Sequence, residues 1–345
     1  MKVVFDPRQL AHAPRRFLVR GEWQPCPEMP QRGEVLLAAA RGAGHETVVP
    51  ADHGPAPWAA VHTADYLTFL ETAHERWRAL PGAGPEVVPN IHPVRRCGGY
   101  PTSVVGQAGW HMTDTACPLT AESWPAIRAS ANSAVHAAAL VMAGAPVAYA
   151  LCRPPGHHAY ADMAGGFCYL NNTAIAAQHL RRSAARVAIV DVDLHHGNGT
   201  QGIFYARPDV LTVSMHAEPS GFYPFFWGYA EERGEGPGTG FNLNLPLALG
   251  SGDDEFLAAL DRGLAAVRDF RPEALVVALG LDAFAGDPLA GLAVSTAGFG
   301  EIARRLAGLG LPSVLVQEGG YPTDALGRNL VTFLEGFESG LAAHI

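Results

Sequence analysis

Apolar residues gather in short runs at positions 2–5, 47–50, 147–152, 187–192, 210–215, 275–281 and 313–316. The runs are rich in Val, Leu and Ala and show little polar alternation. Strands covered on both faces, as in a parallel sheet, have this composition. Between them lie longer amphipathic stretches at 65–78, 121–142, 170–185, 253–269, 296–307 and 324–341, which read as helices. The repeated alternation of strand and helix predicts an α/β fold. Two regions break the pattern. Positions 81–118 carry many Gly and Pro residues with aromatic and His insertions, and positions 216–246 are similar and contain GFYPFFWGY. Loops of this length inside a compact domain are usually functional or interfacial.

Composition sharpens this picture. The chain has 345 residues, read as one domain over 1–345. Hydrophobic residues make up 48% and charged residues 17%, below the ~25% typical of soluble chains. That balance suits a large core, or surface hidden in an oligomer. The net charge is −9, Lys is nearly absent and no basic block appears, so no nucleic-acid partner is expected. The acidic balance mildly favours a cationic substrate. Five cysteines (Cys26, Cys97, Cys117, Cys152, Cys168) form no CxxC pair and read as free thiols of a reducing compartment. The start MKVVFDPRQL is too polar for a secretory segment, and no run approaches the ~18 apolar residues of a membrane helix. No membrane partner and a cytoplasmic location are expected.

In doubly wound sheets, ligands bind beyond the carboxyl ends of the strands. Four strand ends here carry chemistry. They lead into His157-His158, into Asp191-Val192-Asp193-Leu194-His195, into Asp282, and into Glu318-Gly319-Gly320-Tyr321. Side chains at i, i+2 and i+4 of an extended segment share a face, so Asp191, Asp193 and His195 are expected to point the same way. Asp193, His195 and Asp282 form a candidate metal site, whose single His and two carboxylates would leave room for water and substrate. Each residue alone reads equally well as a helix cap or a satisfied structural group. Acids embedded in VAIVDVDL and VVALGLDAF, however, are costly to bury without a partner, and a metal is the simplest one.

The adjacent His157 and His158 could divide the proton transfers of a hydrolysis, with Asp191 and Asn198 as orienting partners. One of them could equally be a structural donor or a ligand. Tyr321, after two glycines, could donate to an oxyanion or simply pack. Phe167 and Tyr223 could wall a narrow slot or belong to the core. No GxGxxG fingerprint, phosphate loop or GxSxG elbow appears. Cys152 and Cys168 read as buried rather than nucleophilic.

Taken in order, RPPGHHA, GGFCYLNN, DVDLHHGNGTQ, LGLDAFAGDPL and EGGY resemble the histone deacetylase superfamily, over most of the chain from about residue 61 onward. KVVFDPRQL, HPVRR at 92–96 and FFWGYAEERGEG at 225–236 resemble its bacterial acetylpolyamine amidohydrolases. The resemblance implies an arginase-like three-layer sandwich around an eight-stranded parallel sheet. It implies a zinc-dependent amidohydrolase, with iron(II) as the alternative ion, that frees amines from acetyl or short acyl groups in polyamine metabolism. It assigns Asp193, His195 and Asp282 as metal ligands, His158 as general base and acid, His157 as its electrostatic partner and Tyr321 as the group polarising the carbonyl. It places Gly166, Phe167, Tyr223, Gly319 and Gly320 along the substrate tunnel. A structural potassium site would use Asp191, Asp193, His195, Ser214 and Met215, and a second monovalent site Phe204, Arg207 and Val210. The stretch 81–118 resembles a loop insertion that forms a homodimer and narrows the entrance to a small acylated amine.

The sequence departs from that branch where entrance acids would serve a polyamine: Phe17, Val105 and Ala116 stand at those positions, with Asp114 nearby. Asn198 stands where some relatives carry Asp. Two alternatives follow: a deacetylase of protein acetyl-lysine, and a metal-binding sensor without turnover.

Overall fold

A computed structural model describes residues 1–96 and 98–343. Eight parallel strands form the central sheet: β1 (Lys2–Val4), β4 (Glu46–Val48), β5 (Val147–Ala150), β6 (Val187–Asp191), β7 (Val210–Ala217), β8 (Asn242–Leu247), β9 (Ala274–Leu279) and β10 (Ser313–Gln317). Their order is β4-β1-β5-β10-β9-β6-β7-β8. A separate hairpin pairs β2 (Arg16–Val19) with β3 (Glu22–Pro25).

The helices are α1 (Pro30–Gly42), α2 (Ala56–Ala59), α3 (Ala64–Arg78), α4 (Val104–His111), α5 (Ser123–Met142), α6 (Asn172–Leu180), α7 (Asn198–Phe204), α8 (Asp253–Phe270), α9 (Thr296–Ala307) and α10 (Leu326–Ala342). The period of two along each strand divides its side chains between two layers. Tyr149, Val190, Val277 and Leu315 pack with Leu36, Phe256, Phe299 and Phe333 from α1, α8, α9 and α10. Ala148, Ile189, Val276 and Val314 pack with Ala134, Ala138, Ala174 and Ala177 from α5 and α6. Burial on both faces explains why these strands read as unbroken apolar runs.

Several boundaries differ from the sequence expectation. The run at 47–50 is a strand over Glu46–Val48 only, and the stretch 170–185 is helical over Asn172–Leu180. The region 216–246 is not all loop. It ends in β8, an edge strand whose Asn242 and Asn244 interrupt the apolar signal. The region 81–118 contains α4, capped by Ser103, whose Oγ accepts from Val105 N–H.

Strand order is what assembles the site. β5, β10, β9 and β6 are four consecutive neighbours, although β5 and β6 follow one another in sequence. The four chemistry-bearing segments therefore leave adjacent strands at one edge.

Candidate metal centre and its surroundings

β6 stops at Asp191, and the segment after it bends instead of staying extended. The expected two-residue alternation is thus not what aligns these groups. Asp191 Oδ1 accepts from Asp193 N–H at 3.0 Å, and Asp193 Oδ1 accepts from His195 N–H at 2.9 Å. Asp side chains commonly close turns onto the backbone two residues on. Two such turns in succession bring Asp193 and His195 to one point.

Asp282, just past β9, arrives from the neighbouring strand and accepts from Leu194 N–H at 3.0 Å. His195 Nδ1 then lies 3.2 Å from Asp193 Oδ1 and 3.1 Å from Asp282 Oδ2. Ligands of a tetrahedral ion at about 2.0–2.1 Å stand about 3.3 Å apart, so these separations suit one small divalent ion. All three groups are buried, with ligand atoms within 4.8 Å of one another. Burial and the charge of Asp193 push the Asp282 carboxyl above its usual range. Two facing buried carboxylates call for a cation. Their cradle has no room to spare: a Cβ on Gly319 would stand 2.2 Å from Asp282 Oδ2, and one on Gly280 2.2 Å from Asp193 Oδ2.

The tandem histidines sit beside this cluster. His157 Nδ1–H donates to Asp191 Oδ2 at 2.9 Å. Burial opposes its charged form, but Asp193 and Asp191 outweigh burial and raise it to about 10. His158 Nδ1–H donates to Asn198 Oδ1 at 2.6 Å, while Asn198 Nδ2 donates to the Tyr160 hydroxyl at 3.2 Å. The second bond fixes the amide orientation and so the tautomer, leaving Nε2 of His158 with its lone pair. Burial, and then the neighbouring His157 and His195, push His158 well below its ordinary value. One imidazole is held charged and its neighbour neutral, the division that paired proton-transfer groups need.

Tyr321 is buried at 3% exposure and packs edge-on against Phe167, with ring centroids 5.9 Å apart. Burial and the charge of Asp282 raise its hydroxyl well above the ordinary tyrosine value, so it stays protonated and can donate. Gly166 and Phe167 are the central residues of a tight turn, both left-handed at φ 52° and 69°. Gly165 and Cys168 close it with reciprocal backbone bonds of 3.1 and 2.8 Å. A non-glycine residue in this region is uncommon, and here it aims an aromatic wall at the mouth. The Tyr223 ring meets His158 edge-on at 5.0 Å.

The remaining expected residues divide. Gly319 faces the metal cluster and not open space: its N–H donates to Asp193 Oδ2 at 2.7 Å. Gly320 adopts φ 109° beside it. Asp191 and Ser214 line a polar cavity of about 10 Å³ next to the cluster. Ser214 and Met215 lie in β7, which begins at Val210, while Phe204 ends α7 and Arg207 lies between the two elements. Phe17 packs on Phe167 at 5.3 Å, and Ala116 joins the same aromatic group. Val105 lies in the first turn of α4. A larger groove of about 600 Å³ is lined by Arg15, Arg16, Trp23, Trp77 and Pro89, and by none of the acid and His cluster.

Four supporting groups were not assigned from the sequence. Glu318 Oε2 accepts from the N–H groups of Gly156 and His157, and its Oε1 from the Thr173 hydroxyl. Asp287 Oδ2 accepts from Tyr321 N–H at 2.9 Å. Arg32, fully buried beside Glu28, donates to the carbonyls of Glu318 and Gly320. Each holds a loop that carries a site residue. Their signal was present as charge inside apolar surroundings, but their partners lie far away in sequence. The fourth group, Asp114, bonds the mouth loops.

Comparison with known proteins gives a consistent result. Residues 26–337 match the family described as Histone deacetylase domain. The chain is 49% identical over 338 residues to the acetylpolyamine amidohydrolase of Burkholderia pseudomallei, covering 98% of each chain. It is 45% identical over 343 residues to acetylpolyamine amidohydrolase 1 of Pseudomonas aeruginosa, covering 98% of this chain and 99% of that one. The crystal structure of the acetylpolyamine aminohydrolase from Burkholderia pseudomallei superposes with a TM-score of 0.95 at 48% identity, covering 98% and 99% of the two chains.

Proposed function

The chain belongs to the histone deacetylase family, and from that premise we propose that it hydrolyses the amide of small acetylated amines, acetylpolyamines first among them. The observation that carries this reading is the meeting of Asp193, His195 and Asp282 with a neutral His158 held by Asn198. A divalent ion held by those three ligands, zinc or else iron(II), supplies a Lewis acid for the carbonyl and lowers the pKa of water.

The chain's own residues then do the following. The Tyr321 hydroxyl donates to the carbonyl oxygen as negative charge builds there. His158 Nε2 takes a proton from the attacking water and delivers it to the departing nitrogen. The C–N bond breaks, and acetate and the free amine leave. His157, kept charged by Asp191, favours the negative charge of the transition state. Phe167 and Tyr223 confine the chain of the substrate and keep bulk water out. A sensor would need the ligands but not this proton-transfer set.

The cavity lined by Asp191 and Ser214 supports a bound monovalent cation, for which Asp193, His195 and Met215 remain the further candidates. Phe204, Arg207 and Val210 remain the candidates for a second. Val94, fully exposed, stands with Ile91 and Tyr100 on the 81–118 loop, an apolar surface that favours a homodimer formed by that loop. Among the described residues no helix is long and apolar enough to cross a membrane. Cys26, Cys117, Cys152 and Cys168 are free and buried, which supports the cytoplasm; Cys97 lies outside the described residues.

The test is acetate release by the zinc-loaded chain from acetylputrescine, acetylcadaverine, acetylspermidine and an acetyl-lysine peptide. Turnover of the polyamines over the peptide is expected. A preference for the peptide would overturn the small-molecule reading in favour of a protein deacetylase.

A further inference from the structure

Asp114 has no part in the reaction above, yet it engages the segments of both aromatic walls. Its Oδ2 accepts from the Tyr223 hydroxyl at 2.7 Å and from Gly166 N–H at 3.1 Å, and its Oδ1 accepts from Ala116 N–H at 2.8 Å. Tyr223 is one aromatic wall. Gly166 belongs to the left-handed turn that presents the other wall, Phe167. Backbone bonds from Thr113 N–H to Ala164 O and from Ala164 N–H to His111 O already join the Asp114 segment to that turn, whereas Tyr223 arrives from the loop between β7 and β8. A tyrosine hydroxyl among aromatic rings needs an acceptor, and Asp114 supplies it.

The space at this junction is already full. A Cβ on Gly166 would stand 2.4 Å from the His158 ring and 2.9 Å from the Tyr223 hydroxyl. A small swing of Tyr223 therefore changes both the width of the opening and the packing on His158. Resting on the deacetylase reading above, we propose that Asp114 is a positioning residue that sets the bore of the tunnel and thereby selects unbranched alkyl amides. It does so by latching Tyr223 to the turn of Phe167. Three hydrogen bonds already engage its carboxylate, which favours the latch over the anchoring of a distant substrate ammonium.

The test uses the full zinc-loaded chain and three acetamides: acetylputrescine, acetylbutylamine, and a homologue of the latter methylated beside the nitrogen. One methyl group at a close-fitting wall is worth about tenfold or more in discrimination. Asp114→Ala should erase most of the preference for the linear amide over the branched one, mainly through KM, with kcat retained. Asp114→Asn keeps an acceptor and should restore much of that preference. Tyr223→Phe should move the preference in the same direction, and the double variant no further than Asp114→Ala. The slowly exchanging Tyr223 hydroxyl proton should be lost from the proton NMR spectrum of Asp114→Ala. An unchanged linear-to-branched preference in Asp114→Ala, with the melting temperature retained, overturns the latch. A selective loss of acetylputrescine against acetylbutylamine overturns it too, and makes Asp114 an ammonium anchor. A wild-type chain that hydrolyses none of the three overturns the deacetylase reading itself, and the selectivity role with it.

Discussion

At the floor of the site, Asp193, His195 and Asp282 are 0%, 8% and 0% exposed, and each is fixed by a backbone or carboxylate partner. On the loop that carries the mouth residue Tyr223, Phe225 and Phe226 are 47% and 82% exposed, between β7 and β8. The floor is carried by four adjacent strands, so its geometry is set by the sheet. The mouth is carried by loops: backbone bonds join residues 111–113 to Ala164, and Tyr223 reaches them through its hydroxyl on Asp114. The contrast separates two functions. The kind of reaction is decided where nothing can move, and the choice of substrate where small shifts are tolerated.

The largest expected effect lies at the floor. His158→Ala removes the group proposed to carry the proton, and kcat should fall about 10²–10⁴-fold for every acetamide tested. Steady-state acetate release measures this; a change confined to KM would break the division between floor and mouth. Next, Tyr321→Phe should lower kcat by about 10²–10³-fold, as the loss of one oxyanion donor does, while the metal content stays that of the parent. Equal losses of metal and activity would mean that the tyrosine supports the cradle instead.

The pH profile sharpens the same point. His158 acts as a base only when neutral, and burial with its imidazole neighbours pushes its pKa well below 6.5. A depressed pKa moves protonation to lower pH. The acid limb of kcat/KM should therefore lie below pH 6.5, and full activity at pH 6.5 with loss only further down is the expected curve. A midpoint above 6.5 would assign the limb to another group. Smallest is Phe226→Ala on the loop beyond Tyr223, which should change unfolding stability in urea by less than about 0.5 kcal/mol because little is buried there. A larger loss would show that this residue is covered in solution, as in a dimer.

Legibility in the sequence follows the same contrast. β5, β6, β9 and β10 were readable because burial on both faces makes them apolar throughout. β8 was not, because an edge strand with Asn242 and Asn244 carries no such run. The hairpin of β2 and β3 is largely exposed and lacks a pattern. α7 begins Asn198-Gly199 and carries a further glycine at Gly202, which hides a helix. Asp193, His195 and Asp282 stood out as polar groups after apolar strands, and their tight Gly partners were part of recognisable motifs. Asp114 stood out only as an acid near the entrance, without its partner, and Asp287 did not stand out. Asp114 acts on a hydroxyl 109 residues away and Asp287 on a backbone N–H 34 residues away, and spacing along the chain carries no trace of either.

The account stands on a metal-dependent floor, and one measurement addresses it directly. The chain is stripped with a chelator, dialysed, and assayed for acetate release from acetylputrescine before and after one equivalent of zinc is restored, with Asp282→Ala in parallel. Loss of turnover on stripping, recovery at one ion per chain, and neither binding nor recovery in Asp282→Ala are the results the account predicts. Full turnover by the stripped chain, or full recovery in Asp282→Ala, would contradict it.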